Sequence, residues 1–231
     1  MEPITKLRKK SESQIKLFVV IFDFKLEKQK IPAFRAAVVE KVGRENVLFH
    51  NHLGEKFLYA YPLIQYKTIR QNPAIVCVDK GTEDILEFFK KTDWHLNIHG
   101  RTVETEIRHI DFDHFVCGFS PDPLHYRIRN WFALNEGNFR KFIALDDAEA
   151  KSDFLQRIMI GNILSFAKGI HWNVRKRIEL VIPEIPKRRL LSFKRYQMMG
   201  FDLDFITNIS LPNLIGLGKS VSRGFGTITR T

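Results

Sequence analysis

The chain is 231 residues long, with 44% hydrophobic residues, two cysteines and a formal net charge of +11. This hydrophobic content excludes an intrinsically disordered chain, and no apolar run approaches the roughly 18 residues of a membrane span. Cys77 and Cys117 each lie in an apolar stretch, which argues against a disulfide framework or a cysteine-based zinc site. The N-terminal Met-Glu-Pro-Ile lacks a secretory signal pattern. We therefore expect a cytoplasmic protein with no membrane partner.

The positive charge is concentrated in the second half of the chain. Residues 1–122 hold 19 Lys/Arg and 17 Asp/Glu, a net charge of +2, whereas residues 123–231 hold 18 and 9, a net charge of +9. Such an asymmetry favours a polyanion that docks mainly on one half. A basic surface without a partner is the plainer alternative.

In chain order, the first half predicts a β-α-β-β-α-β unit, which is the ferredoxin-like arrangement. Alternating apolar residues, a Pro near a helix start and Gly43 after its end mark the first strand and helix. The predicted elements are a strand at Ile15–Leu26, a helix at Pro32–Val42, strands at Phe57–Tyr66 and Ala74–Val78 joined by a turn at Arg70–Pro73, a short helix capped by Thr82, and a strand at Arg101–Cys117.

Ser120–Pro123 predicts a boundary between an N-terminal domain, residues 1–122, and a C-terminal domain, residues 123–231. The second domain predicts another, distorted ferredoxin-like unit, so the expected fold class is α+β with tandem ferredoxin-like domains. Its predicted elements are a strand at Tyr126–Leu134, a hairpin turn at Asn135–Asn138, a helix with a capping box at Asp146 and Glu149 that ends at Gly169, and strands at Arg177–Ile182, Leu190–Tyr196, Phe201–Ile209 and Gly224–Thr229.

The strongest local pattern is a glycine-rich segment at residues 216–226, hereafter the glycine-rich loop. Its glycines are Gly216, Gly218, Gly224 and Gly226, and its basic residues are Lys219 and Arg223. Exposed N–H groups of such a loop suit phosphate oxygens, and the two cations add charge. Lys219-Ser220 matches the end of a P-loop, but the glycine spacing and the strand-like sequence that follows argue against an NTPase. No βαβ unit follows, which argues against a dinucleotide site.

The pattern Gly-x-Gly, five residues, Gly-Phe-Gly, close to the C-terminus, resembles the glycine-rich loop of CRISPR-associated RAMP proteins, and most of all the repeat-processing endoribonucleases. The resemblance covers the whole chain through the tandem ferredoxin-like order. It implies RNA binding and, in processing members, cleavage within the CRISPR repeat of precursor crRNA without a metal ion or other cofactor. A RAMP subunit that binds guide RNA inside a CRISPR effector complex without cutting is the alternative.

Cleavage without a metal ion uses the 2′-OH beside the scissile phosphate as the nucleophile, and histidine is suited to the proton transfers near neutral pH. Processing enzymes of the resembled family carry catalytic residues after the first helix, and one branch has two histidines one residue apart followed by a tyrosine. His50, His52 and Tyr59 resemble that pattern. We expect His52 as general acid or base, His50 as its partner on the same side of an extended segment, Lys56 as the charge stabiliser and Tyr59 as the group that positions the 2′-OH. Solvated loop residues are the alternative.

A cluster of basic residues predicts a second RNA contact, through a hairpin that grips the RNA backbone. Its members are Arg175, Lys176, Arg177, Lys187, Arg188, Arg189, Lys194 and Arg195. A solvated basic hairpin is the alternative. A general RNA-binding protein with RRM-like domains would show aromatic RNP signatures, and the sequence has none. Other CRISPR effector proteins and a homodimer stay open as further partners.

Overall fold

The computed structural model describes residues 12–53, 56–57, 60–184, 186–193 and 196–231, with backbone alone at 52–53, 56–57, 192–193 and 196. One antiparallel sheet runs through both halves of the molecule. Within the described residues, no helix has both the length and the apolar character that crossing a membrane requires.

In the first half, the sheet order β8-β1-β5-β4 is that of a ferredoxin-like unit, with two small hairpins added. All its strand pairs are antiparallel. The elements are β1 (Ser13–Phe22), α1 (Ile31–Val42), the hairpin of β2 (His52–Leu53) and β3 (Lys56–Phe57), β4 (Ile64–Ile69), β5 (Asn72–Val78), α2 (Gly81–Asp84), α3 (Leu86–Phe89), the hairpin of β6 (His95–Ile98) and β7 (Arg101–Glu104), and β8 (Ile107–Trp131).

Two predicted strands of this half are divided in the structure. The predicted strand Phe57–Tyr66 was wrong as one element, since Phe57 belongs to β3 and β4 begins at Ile64. Likewise, Arg101–Glu104 turns back onto β6, and β8 begins only at Ile107.

The turn between β4 and β5 is shorter than the predicted Arg70–Pro73. Arg70 and Gln71 both have positive φ, at 49° and 68°, and Asn72 already pairs with Ile69. Two consecutive positive φ values make the two-residue turn whose twist matches an antiparallel hairpin. Asn72 and Pro73 therefore open β5.

The strand β8 is 25 residues long and belongs to both halves. Residues 107–117 pair with β1, and β11 (Tyr196–Ser210) pairs with residues 118–119 and 124–131, on either side of the break at 120–123. The predicted boundary at Ser120–Pro123 lies within this strand, where the register with β11 shifts. The backbone thus passes from one half to the other inside a hydrogen-bonded strand.

In the second half, β12-β8-β11-β10 repeats the same strand order. The further elements are α4 (Glu136–Ile143), α5 (Ala148–Gly169), β9 (Leu180–Val181), β10 (Lys187–Phe193), β11 (Tyr196–Ser210) and β12 (Thr227–Arg230). Residues 211–226, which connect β11 to β12, contain a 3₁₀ turn at Val221–Arg223 and no α-helix. The glycine-rich loop therefore occupies the chain position of the second helix of a ferredoxin-like unit.

The predicted hairpin turn at Asn135–Asn138 was wrong, because these residues begin α4. The Asn135 side-chain oxygen accepts a hydrogen bond from the Asn138 N–H at 2.7 Å, which is an N-cap. The helix α5 is capped one residue later than predicted. The Asp147 carboxylate, rather than that of Asp146, accepts from the Ala150 N–H at 2.8 Å.

Each half has its own apolar core on one side of the shared sheet. In the second half, α5 buries Leu155, Met159, Ile163 and Phe166 against the sheet, at the helical spacing of the sequence. In the first half, Phe22, Phe34 and Phe88 form edge-to-face ring contacts between β1, α1 and α3. The two helical layers thus leave the junction of the halves to be closed by β4 and the glycine-rich loop.

Candidate functional site

A buried hydrogen-bond network ties the glycine-rich loop to the first half. The Gly216 N–H donates to the Gln65 side-chain oxygen at 2.9 Å, and the Tyr61 hydroxyl donates to the Gly216 carbonyl at 2.9 Å. The Gln65 amide nitrogen in turn donates to the Tyr61 hydroxyl oxygen at 2.8 Å. Burial raises the pKa of Tyr61 above its ordinary value, so the hydroxyl stays protonated.

The backbone of the glycine-rich loop is largely engaged with the protein itself. Leu217 and Gly226 N–H groups donate to the carbonyls of Gly226 and Asn130, and the Lys219 N–H donates to that of Phe132. Gly216, Arg223 and Gly224 N–H groups also have protein acceptors. The expected cradle of free N–H groups is therefore taken up at these six positions. Three of them bond to Gln65, Phe132 and Asn130 outside the loop, and the other three bond within it. Phosphate contacts by Lys219 and Arg223 side chains stay a prediction.

Close contacts with neighbouring atoms explain why Gly218 and Gly224 are glycines. At Gly218, with φ +96°, a Cβ atom would lie 2.7 Å from Trp131 Nε1. At Gly224, with φ +84°, it would lie 2.8 Å from Ile31 Cδ1 and 3.0 Å from the Tyr66 carbonyl oxygen. Positive φ and the missing side chain together let the loop lie directly on α1 and β4.

His50 lies just beyond a 3₁₀ turn at Val47–Phe49 and is half-buried. Its Nε2 is 2.7 Å from the Arg44 carbonyl oxygen, and its own carbonyl accepts a 2.6 Å hydrogen bond from Arg35 Nη2. A carbonyl oxygen only accepts, so Nε2 carries the proton in this contact.

The extended segment expected to align His50 with His52 is broken in the structure. Asn51, between them, is buried and left-handed, with φ 55°. The backbones of His52 and Lys56 lie in the β2–β3 hairpin, where His52 pairs with Phe57 and Leu53 with Lys56. The side chains of His52 and Lys56, and Tyr59 as a whole, lie outside the described part of the structure.

Arg35 is a residue that the sequence prediction missed. It projects from α1 towards His50, and its Nε has no hydrogen-bond acceptor among the described residues. Burial lowers the pKa of its guanidinium, and the nearby charge of Arg223 lowers it further, against an opposing effect of Tyr66. Arg35 therefore lies between the His50 segment and the glycine-rich loop. A lone arginine in the otherwise apolar run Ile31–Val39 was the signal in the sequence.

The described members of the basic cluster, Arg175 to Arg177 and Lys187 to Arg189, are exposed. Lys176 Nζ lies 5.8 Å from the ring centre of Phe119, and the Arg188 guanidinium lies 5.6 Å from that of Phe142. Arg189 pairs with the buried Asp202 at 2.5 Å, so part of its charge is compensated. Lys194 and Arg195 lie outside the described residues.

Lys67, on β4, is 2% exposed, although lysine is rarely buried without a partner of opposite charge. Its Nζ donates to Thr227 Oγ1 of β12 at 3.1 Å. Burial lowers the pKa of Lys67 to about 7. The lysine borders a cavity of about 250 Å³ at the junction of the two halves.

Comparison of structures defines the class of protein. A solved structure of Cas6b superimposes with a TM-score of 0.84 at 27% identity over 95% of this chain and all of that one. A CRISPR RNA processing endoribonuclease Cas6b gives 0.71 at 22% identity over 95% of this chain and all of that one. A RAMP protein that binds different RNA substrates gives 0.51 at 13% identity over 94% of this chain and 99% of that one. The fold is that of the Cas6 and RAMP proteins, which confirms the predicted α+β class with tandem ferredoxin-like units.

Family models identify the particular family. The Cas6b N-terminal domain matches residues 13–115, and the Cas6b C-terminal domain matches residues 118–231. The chain belongs to the Cas6b family. It is also 31% identical, over 138 residues, to an uncharacterized protein of Methanocaldococcus jannaschii, a match that covers 58% of this chain and 91% of that protein.

The position of Gly226 generates a stability prediction. Gly226 has φ +63°, and a Cβ atom there would overlap the Leu217 carbonyl oxygen. We expect Gly226→Ala to lower the free energy of unfolding by about 2–4 kcal/mol, as measured by urea titration. Gly100→Ala is the matched control, since Gly100 also has positive φ, +75°, but has open space around it. It should cost about 1–2 kcal/mol. Equal losses in the two variants would contradict the steric argument.

The buried Lys67 generates a pH prediction. The unfolded chain holds the lysine proton up to a pKa of 10.5, whereas the folded protein releases it at about 7. Between these values the unfolded chain binds more protons, so the free energy of unfolding rises with pH, by at most about 1.4 kcal/mol per unit. Below pH 7 both states are protonated and this gain is lost.

Urea unfolding between pH 6 and pH 10 measures the effect. Lys67→Met should lack the rise. Lys90→Met, which removes an exposed lysine paired with Glu87, should keep it. Identical pH profiles for wild type and Lys67→Met would show that Lys67 keeps its charge when buried.

Proposed function

We propose that this chain is a metal-independent endoribonuclease that cuts CRISPR repeat RNA and so matures guide RNAs. The 2′-OH beside the scissile phosphate attacks that phosphate, which leaves a 2′,3′-cyclic phosphate and a 5′-OH end. The observation that carries the proposal is the convergence of the His50 segment, Arg35 and the glycine-rich loop with its Arg223 at the junction of the halves. Membership of the Cas6b family supports it.

The proposed roles follow from the chemistry of the segment after α1. His52 moves protons as general acid or base, Lys56 stabilises charge on the phosphorane, and Tyr59 positions the 2′-OH. His50 is the partner of His52. Its ring is held by the Arg44 carbonyl, with the proton on Nε2.

Arg35 adds a positioning role that the sequence did not suggest. Its Nη2 donates to the His50 carbonyl, so it fixes the backbone from which the hairpin of His52 and Lys56 begins. A guanidinium in a partly buried place also creates a positive potential where a phosphate would sit. Burial is the main cause of the lowered pKa of Arg35, and the charge of Arg223 lowers it further.

The basic cluster supports an RNA path over the second half. Arg175 to Arg177 precede β9, and Lys187 to Arg189 lie on β10. Both strands pair with β11, and all six side chains are exposed. Contacts of this kind follow the RNA backbone and weaken with salt. A RAMP subunit that binds guide RNA without cutting it would use the same surface, so cleavage is the property that separates the two functions.

Cleavage of a labelled repeat RNA in excess EDTA tests the proposal. We expect a single cut with a 2′,3′-cyclic phosphate end, and a rate about 10²–10⁴-fold lower in His52→Ala, because general acid–base catalysis typically contributes that much. His95→Ala is the control, since His95 is exposed, pairs with Asp93 and lies on the separate β6–β7 hairpin.

Two outcomes would contradict the enzyme. RNA that stays intact but tightly bound by wild type and by His52→Ala would favour the non-cutting subunit. A cut that disappears in EDTA and returns with a divalent cation would show that the reaction needs a metal ion.

We also propose that a second copy of the chain binds the outer edge of β8. Over residues 107–116 the described strand pairs only with β1, and Ile110, Phe112 and Val116 are about half exposed. Unpaired edges with apolar side chains tend to pair with another strand. A two-fold antiparallel arrangement would let the same edge serve both copies.

Sedimentation of the purified protein tests this dimer. Wild type should sediment with twice the chain mass, and Phe112→Lys should shift the population towards the single chain at the same concentration. Phe139→Lys, which changes an exposed phenylalanine on α4, should leave the mass unchanged. A wild-type protein of single-chain mass at every concentration would disprove the dimer.

A further inference from the structure

The cavity at the junction of the halves is positively charged on several sides. It has a volume of about 250 Å³ and is bordered by β4, the end of β8, β12 and the glycine-rich loop. Its cationic lining residues are Lys28, Lys67, Arg129 and Arg223. The other described lining residues are apolar, hydroxyl, amide or glycine, and none carries a carboxylate.

Lys67 is the buried member of this group. Its ammonium can donate three hydrogen bonds, and Thr227 Oγ1 accepts one of them at 3.1 Å. Burial alone accounts for the lowered pKa, so no carboxylate of the described chain balances its charge. Thr227 accepts as a neutral hydroxyl, so the lysine has no counter-charge among the residues that the structure describes.

The charges that face the lysine from other elements are also cationic. Lys28 comes from the 3₁₀ turn before α1, Arg129 from β8 and Arg223 from the glycine-rich loop. Arg129 lies 3.5 Å from the buried carboxylate of Asp202, which Arg189 contacts more closely, at 2.5 Å. Asp202 is therefore already shared by two arginines and lies outside the lining of the cavity.

An anion bound in the cavity would compensate the buried positive charge of Lys67. Burying a charge is costly unless a partner of opposite sign is present. A water molecule occupies about 30 Å³ of liquid, so the cavity has room for a tetrahedral phosphate group and its ester carbons. Phosphate oxygens accept the hydrogen bonds that lysine and arginine donate.

We propose that this cavity binds one phosphodiester group of the RNA strand, with Lys67 and Arg223 contacting its oxygens. The inference rests on the proposed function, and it adds a grip on the RNA backbone between the His50 segment and the second half. Lys67 must be protonated to hold the phosphate.

The binding should therefore depend on pH in a definite direction. The ordinary phosphodiester keeps its charge across the neutral range, whereas free Lys67 loses its proton as pH rises through about 7. Affinity should fall as pH rises above 7, by at most about tenfold per unit, because binding then requires uptake of one proton. Lys67→Met, with a neutral side chain of similar length, should lack this dependence.

Two measurements on the full chain test the site. The first is the increase in melting temperature with sodium sulfate at pH 6, where sulfate is the probe for a tetrahedral anion. The second is fluorescence anisotropy of a 2′-O-methyl repeat RNA, which lacks the attacking hydroxyl, at pH 6 and pH 8. Both compare wild type with Lys67→Met and with the control Lys90→Met, and the melting curves without sulfate show whether each variant is folded.

We expect a smaller sulfate effect in Lys67→Met than in the other two proteins, and RNA binding about tenfold weaker at pH 6 with little further loss at pH 8. Lys28→Met, on the cavity rim, should also weaken RNA binding.

If sulfate stabilises all proteins equally, the cavity is not an anion site. If sulfate distinguishes Lys67→Met but the RNA affinities and pH profiles agree, the anion is not the RNA. Cleavage of repeat RNA by wild type and Lys67→Met alike, with equal affinity, would overturn this inference and leave the proposed function intact.

Discussion

The hydrogen bonds along β8 are the constraint on which the rest of the structure depends. One strand pairs with β1 in its first part and with β11 in its second, so the two halves share a single sheet. The helices of each half then cover their own core. What remains open is the junction beside the shared strand, and there the glycine-rich loop, β4 and α1 meet. Residues 120–123 of this part of β8 are skipped by the register with β11.

The parts of the fold that the sequence predicts are those decided by local periodicity. The helices α1 and α5 and the strand β1 follow from apolar spacing, and α5 buries Leu155, Met159, Ile163 and Phe166 at that spacing. The errors arise where two local structures compete for the same residues. Asn135–Asn138 has the composition of a turn, but Asn is also a strong helix cap, and the buried Phe142 that follows favours α4.

The continuity of β8 is a feature that the local sequence does not reveal. Ser120-Pro121-Asp122-Pro123 has the composition of a linker, yet the neighbouring β11 holds the chain in one strand on either side of it. The strand that pairs with these residues lies far along the chain, at Tyr196–Ser210, so a short stretch of sequence around Ser120–Pro123 does not reveal that β8 continues. The register shift at this point accommodates the two prolines, which cannot donate to a ladder.

The candidate site was predicted from residue types, and the structure gives different physical reasons for several of these residues. The glycines of the loop are explained by contact with Trp131, Ile31 and the Tyr66 carbonyl rather than by free amides. The positive charge at the junction comes in part from residues inside apolar segments, Arg35 in α1 and Lys67 in β4. A lone cation in an apolar run reads as an exposed residue on a helix or strand, and only the packing of β12 and the loop against β4 shows that Lys67 is enclosed.

The continuity of β8 has a geometric consequence for a nucleic acid bound along it. Two RNA contact sites on one sheet keep a constant separation, whereas sites joined by a flexible linker would move relative to each other. A strand of RNA held on the second half would reach the His50 segment over a fixed distance. The position of the cut relative to the bound stretch of RNA would then be set by the distance across the sheet, and a variable cut position would indicate slippage of the RNA.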